Sequence, residues 1–147
     1  DYPSNLEALN IKLSRMVRSG EIQAVGELLE RLPVSADEDH RFWRFRGWYR
    51  AASQELDEAQ AAYRQALDLC PTDWTSQNEL ASVLRQTQGI EDAAAMQLLG
   101  REGIDIGNRI LAAPNLQAMS EEDFSQIAAY LGQCGMSRFA ERLRRLL

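Results

Sequence analysis

The side chains that most often carry enzyme chemistry are scarce in this chain of 147 residues. It has one histidine, His40, and two cysteines, Cys70 and Cys134. A histidine-based metal site or a Ser/His/Asp triad would have to use His40, and the two cysteines lie too far apart for a CxxC zinc motif. The sequence therefore predicts no catalytic residue, no metal site and no cofactor.

The cysteines and the histidine have simpler structural interpretations. Cys70 and Cys134 could form a disulfide, but two separate core thiols are the favoured interpretation, because free cysteine behaves as a small buried hydrophobe. His40 stands where a helix is predicted to start, so we expect it to cap that helix or to lie at the surface. The acidic pairs also lie at predicted helix starts, where negative charge stabilises the helix dipole.

The charged residues of the chain limit the classes of partner that it is expected to bind. The formal net charge is −6, which argues against binding of nucleic acid or anionic membranes by bulk charge. Lys12 is the single lysine among 16 basic residues, so arginine supplies nearly every cation. A GC-rich genome explains this preference, and so does a need for bidentate contacts with carboxylate or phosphate. The sequence contains no run of 18 apolar residues, so we predict no membrane-spanning helix.

Apolar residues recur at spacings of three and four along almost the whole chain, which predicts helices. No stretch alternates in the manner of a strand, so the expected fold class is all-α with about seven or eight helices. Ser120 is expected to cap a helix, with Asp123 in its first turn. The predicted helices lie at about 6–17, 22–32, 39–53, 56–69, 73–87, 91–100 or beyond, 121–133 and 139–147.

The helices occur in pairs, and one unit repeats with a period of 34 residues. Its spacing is W-x3-G, A-x3-Y-x2-A and then P, and a shift of 34 places Gly47 on Ala81 and Ala59 on Ala93. We expect one domain, 1–147, with repeats near 6–39, 40–73 and 74–107, an insertion at 108–120 and an incomplete capping repeat at 121–147. The unit is carried by Trp43, Gly47, Ala59, Tyr63, Ala66 and Pro71.

These residues resemble the tetratricopeptide repeat (TPR) family over about 6–105 and, more weakly, over 121–147. The resemblance implies a right-handed superhelix of antiparallel helix pairs that bury a core only by stacking. Arg46 and Arg50 depart from the family, which has Leu and Tyr at these positions. Either the helix is rotated so that its aromatic residues pack inward, or the two arginines reach acidic partners at its edge.

In this family the first helix of each pair lines a concave groove, and the resemblance implies the same here. The arginines would bind carboxylates, the asparagines would hold an extended backbone, and an aromatic ring would cover an apolar anchor. A solvated arginine face over an aromatic core is the alternative. The implied groove residues are Asn10, Ser14, Arg41, Arg44, Phe45, Trp48, Asn78, Ser82 and Arg85.

The predicted function is that of an adaptor or scaffold binding a protein or peptide, with acidic partners favoured by the arginines and no nucleic acid or membrane involved. The alternative is an accessory substrate-recruiting region of a larger bacterial enzyme, such as a glycosyltransferase or a sulfotransferase. A chain that starts at Asp1 fits a segment of a longer cytoplasmic protein, and a mature secreted or periplasmic chain is the other possibility.

The C-terminal arginines are expected to form a solvated helix face that stabilises the helix dipole. Apolar residues beside them, among them Phe139, Leu143, Leu146 and Leu147, could instead receive a second copy of the chain. A homodimer through the C-terminal helices is therefore a further expectation.

Overall fold

The computed structural model describes residues 5–145, and in that range the chain forms eight α-helices and no strand. This confirms the all-α prediction. Leu146 and Leu147, which were predicted to take part in a homodimer contact, lie outside the described residues. The helices are α1 Leu6–Arg18, α2 Ile22–Leu29, α3 His40–Ala52, α4 Leu56–Leu69, α5 Trp74–Thr87, α6 Ile90–Ala112, α7 Glu121–Gln133 and α8 Ser137–Arg144, with short 3-10 helices at Val34–Glu38 and Leu116–Ala118.

Polar side chains cap several helix starts, of which the one at Ser120 was predicted from the sequence. The Ser120 hydroxyl accepts from the backbone N–H of Asp123 while the Asp123 carboxylate accepts from the backbone N–H of Ser120. This reciprocal capping box confirms the predicted start of α7. Asn5 caps α1 through the N–H of Ala8, and Asp39 caps α3 through the N–H of Arg41.

Each of the four turns inside a helix pair contains a residue in the left-handed backbone region. Gly20, Gly89 and Gly135 have φ of 71°, 101° and 79°, and Gln54 has φ of 63°. After α1, α3 and α7 the left-handed residue and its successor donate back to carbonyls of the preceding helix in a Schellman arrangement. After α3, glutamine therefore forms the turn that glycine forms after α1 and α7.

One helix boundary differs from the sequence pattern. The α2 helix ends at Leu29 rather than near Leu32, because a residue that precedes a proline disfavours the helical region. A 3-10 helix then forms at Val34–Glu38, between the first and second helix pairs. The α6 helix continues without a break to Ala112, in agreement with the helix predicted at 91–100 or beyond.

Helices that are neighbours in sequence pack together, and the first helices of successive pairs also contact one another, α1 with α3 and α3 with α5. The core between α3, α4 and α5 centres on Tyr63, which is fully buried. A Cβ atom added at Gly47 would lie 2.7 Å from the Tyr63 ring, so α3 and α4 can approach this closely only because position 47 has no side chain. No helix in the described range is both long and apolar enough to cross a membrane.

Candidate functional site

The α3 helix presents two polar faces. At about 100° per residue, Arg41, Arg44 and Trp48 share one face, and Trp43 and Arg46 lie roughly 160° around the helix from its centre. The aromatic rings of Phe42 and Phe45 are buried between these faces, with centroids 6.2 Å apart in an edge-to-face contact. The two alternatives predicted for α3 therefore apply at the same time. Its phenylalanines pack inward, and its arginines bind acidic side chains.

On the first face, Arg41 joins α3 to α1. Its guanidinium donates to Asp39 at 2.8 Å and to Glu7 at 2.8 Å, which lowers the pKa of both carboxyl groups. The Asn10 amide also donates to Glu7, at 3.3 Å. The structure thus brings together two predicted groove residues, Asn10 and Arg41, but places the chain's own carboxylate between them.

Arg44 joins α3 to the turn between α4 and α5. Its Nη1 donates to both carboxylate oxygens of Asp73 at 3.1 Å, and the Ser76 hydroxyl donates to the same carboxylate at 2.7 Å. Asp73 is only 8% exposed, so an unpaired charge there would be costly. The carboxylate that Arg44 binds is therefore an internal one that holds the second and third helix pairs together.

Three further predicted groove residues are buried or half-buried. Phe45 is buried, and Trp48 is half-buried and packs against the cluster that contains Leu13 and Val25. Ser14 is half-buried on α1. Burial leaves only part of the Trp48 ring available to cover an apolar anchor of a partner.

Of the three predicted groove residues in α5, Asn78 and Arg85 contact α6. The Asn78 amide donates to the carbonyl of Trp74 at 3.0 Å, and a Cβ at Gly100 would lie 2.5 Å from the Asn78 oxygen. Arg85 donates to Gln97 at 3.2 Å, and Ser82 is half-buried. The two α5 side chains whose contacts are known therefore bridge to α6 rather than to Arg41 and Arg44. That the nine residues bind a partner stays a prediction.

On the second face, α3 forms the floor of a cleft of about 580 Å³ between α2 and α4. The sequence did not predict this cleft, although Arg46 and Arg50, the two departures from the repeat pattern, line it. The floor consists of Trp43, Arg46, Tyr49 and Arg50, one wall consists of Gly26, Leu29 and Glu30 of α2 with its cap, and the other consists of Glu58, Ala61, Ala62 and Gln65 of α4.

Hydrogen bonds and stacking hold the aromatic floor in place. The Trp43 indole N–H donates to the carbonyl of Asp37 at 2.9 Å, and the Arg46 guanidinium lies over the Trp43 ring at 4.4 Å. Arg46 Nη2 donates to the Asp37 carboxylate at 2.6 Å. The Tyr49 ring packs on Gly26, where an added Cβ would lie 2.7 Å away. Ordering two rings before any partner arrives lowers the entropy cost of binding.

One donor in the cleft lining has no partner. Arg46 Nη1 is screened from solvent and has no acceptor among the described residues. Arg50, at the other end of the floor, pairs with Glu55. A buried N–H without an acceptor costs free energy.

The cysteines lie near the junction between the third and fourth helix pairs. Both are free thiols and half-buried, in agreement with the favoured interpretation. The Gln77 amide donates to Cys134 Sγ at 3.6 Å and accepts from the Tyr130 hydroxyl at 3.2 Å. Burial raises the pKa of the Cys134 thiol, which keeps it protonated and a poor nucleophile.

Within residues 5–145, no three or more His, Cys, Asp or Glu side chains are grouped so as to hold a metal ion. Comparison with protein-family models, with curated proteins and with solved structures found no match to this chain.

Proposed function

We propose that this chain is a protein-interaction module of the TPR type, an adaptor or scaffold that binds a segment of a partner protein without catalysis of its own. The repeat register supports the TPR plan: the left-handed turn residues Gly20, Gln54 and Gly89 are 34 and 35 positions apart. The contacts of α1 with α3 and of α3 with α5 are those expected when helix pairs stack.

The observation that carries the binding function is the cleft over α3. Its volume of about 580 Å³ lies within the roughly 300–1,000 Å³ typical of ligand sites. Tryptophan, tyrosine and arginine, which form its floor, are the residues that most often dominate the energy of protein interfaces. An open cleft between two helices suits a helix or an extended peptide segment.

The groove predicted from the repeat pattern is the alternative binding surface, on the other face of α3. There Arg41 and Arg44 already bind carboxylates of this chain, so an acidic partner would first have to displace Glu7 or Asp73. Displacement from the buried Asp73 would cost free energy. This difference leads us to place the partner in the cleft.

Two tryptophans of α3 provide a matched test. Peptides selected from a random displayed library on the folded chain would be measured against Trp43→Ala, in the cleft, and Trp48→Ala, on the groove face. We expect Trp43→Ala to weaken binding about tenfold or more, which is ~1.4 kcal/mol, and Trp48→Ala to change it little. Circular dichroism of both variants checks that they remain folded.

The reverse pattern would assign binding to the groove of Arg41, Arg44 and Asn78. Selected peptides that bind both folded variants as well as they bind the parent chain would contradict the cleft and the groove together. Failure of the library to yield any binder would contradict the proposed function itself.

A further inference from the structure

Carboxylates that lie outside the lining neutralise the two cations of the cleft over α3. Arg46 pairs with Asp37 and Arg50 pairs with Glu55. The cleft lining also holds Glu30 and Glu58, which form no ion pair within residues 5–145. The four charges of the lining sum to zero, but the two that remain without an ion partner are both negative.

The end of α2 adds negative potential at Glu30. This residue is the C-cap of α2, and the last turn of that helix contains no basic side chain. The C-terminus of a helix carries roughly half a negative charge, so an acidic residue there is unfavourable unless a cation lies nearby. A cation from a bound partner would relieve this repulsion.

The rest of the lining indicates what must accompany the cation. Leu29 and Ala62 form apolar walls, and Trp43 and Tyr49 provide an aromatic floor that can cover an apolar side chain. An apolar side chain with a cation beside it is what a peptide segment containing arginine or lysine next to a large apolar residue presents.

We infer that the cleft over α3 selects a partner segment in which an apolar side chain lies beside arginine or lysine. This inference rests on the proposed function and names the chemistry of its partner. The inferred partner is basic, whereas the arginine-rich composition predicted an acidic one. The reason is that the chain's own carboxylates neutralise the arginines of α3, and the lining charges without an ion partner are negative.

The test combines library composition with a charge reversal. Peptides that depend on Trp43 should be enriched in arginine or lysine next to a large apolar residue. Glu30→Lys should weaken their binding about tenfold and should reduce its dependence on salt. Glu27→Lys is the matched control, since it makes the same change on an exposed position of α2 outside the cleft lining, and we expect an effect of about twofold or less.

The outcomes separate this inference from the proposed function. Peptides that depend on Trp43 but are acidic or uncharged would overturn the inferred chemistry and leave the binding function in place. Equal effects of Glu30→Lys and Glu27→Lys would overturn it as well. Binding that does not depend on Trp43 would instead contradict the proposed cleft.

Discussion

The α3 helix and the α8 helix with its C-cap each carry four arginines, yet they use them differently. In α3, each of Arg41, Arg44, Arg46 and Arg50 pairs with a carboxylate of this chain. In the described part of the C-terminal pair, none of Arg138, Arg142, Arg144 and Arg145 forms an ion pair. The α3 helix is central and receives acidic side chains from elements before and after it, whereas α8 packs mainly against α7. The presence of several arginines in the sequence therefore does not show whether their charges are available to a partner, because this depends on the carboxylates that lie next to them in the fold.

Glycine shows the same contrast between the two pairs. Gly47 of α3 lies against the ring of Tyr63, and Gly132 of α7 has only the Arg144 guanidinium near it, at 4.0 Å from an added Cβ. Gly47 is thus required by packing, while Gly132 only weakens its helix. The first helix of the second pair is therefore closely packed at its glycine, and that of the fourth pair is not.

The largest expected effect is the loss of the Arg44–Asp73 pair. Arg44→Met should lower the free energy of unfolding by about 2–3 kcal/mol, because it leaves the buried Asp73 without its cation. Arg142→Met in α8 removes an exposed arginine and should cost no more than about 0.5 kcal/mol. Urea unfolding of both variants measures the difference, and similar losses would refute the contrast between the pairs.

The matched glycine substitutions should act in opposite directions. Gly47→Ala should lower the free energy of unfolding by about 1–2 kcal/mol, since the fully buried Tyr63 ring has little room to move. Gly132→Ala should raise it by about 0.5 kcal/mol through better helix propensity. Thermal unfolding of the pair gives the sign directly, and a stabilising Gly47→Ala would mean that α3 and α4 are not closely packed.

A smaller, pH-dependent effect is expected at Arg41. Its hydrogen bonds lower the pKa of Asp39, so their stabilisation is present above the ordinary carboxyl pKa and is lost as the pH falls through the lowered value. Arg41→Met should cost about 1 kcal/mol at pH 7. The difference from the parent chain should shrink below about pH 4.

Urea unfolding across that pH range measures this effect. In the control Asp39→Asn, asparagine still caps α3 but has no charge to titrate, so any pH dependence of the Arg41 effect that remains comes from Glu7. A difference between Arg41→Met and the parent that stays constant from neutral to acidic pH would show that Arg41 acts through packing alone.

The smallest effect concerns the turn of the second pair. Gln54 has φ of 63° where the other three turns use glycine, so Gln54→Gly should raise the free energy of unfolding by about 0.5 kcal/mol. Gly135→Ala makes the opposite change in the fourth pair and should lower it by about 1 kcal/mol. Calorimetry of both variants tests whether the turns are equivalent, and a destabilising Gln54→Gly would show that they are not.

The sequence predicted local structure well and side-chain pairing poorly. The cap at Ser120 was recognisable because it depends on residues close in sequence. The partners of Arg41 and Arg44 were missed, since Glu7 and Asp73 are 34 and 29 positions away. The cleft was missed because Asp37, which holds Arg46 and Trp43, lies in a segment without helical periodicity.

By itself, the sequence determined that the chain forms paired helices, because apolar spacing and turn residues act over one or two helical turns. Only the tertiary structure decided which charges remain unpaired and which face of α3 is open. Those properties depend on elements that meet in space, such as the walls of α2 and α4 over α3, and no local pattern records them. The arginines pointed to an acidic partner by composition, whereas their pairing leaves Glu30 and Glu58 as the unpaired charges of the cleft.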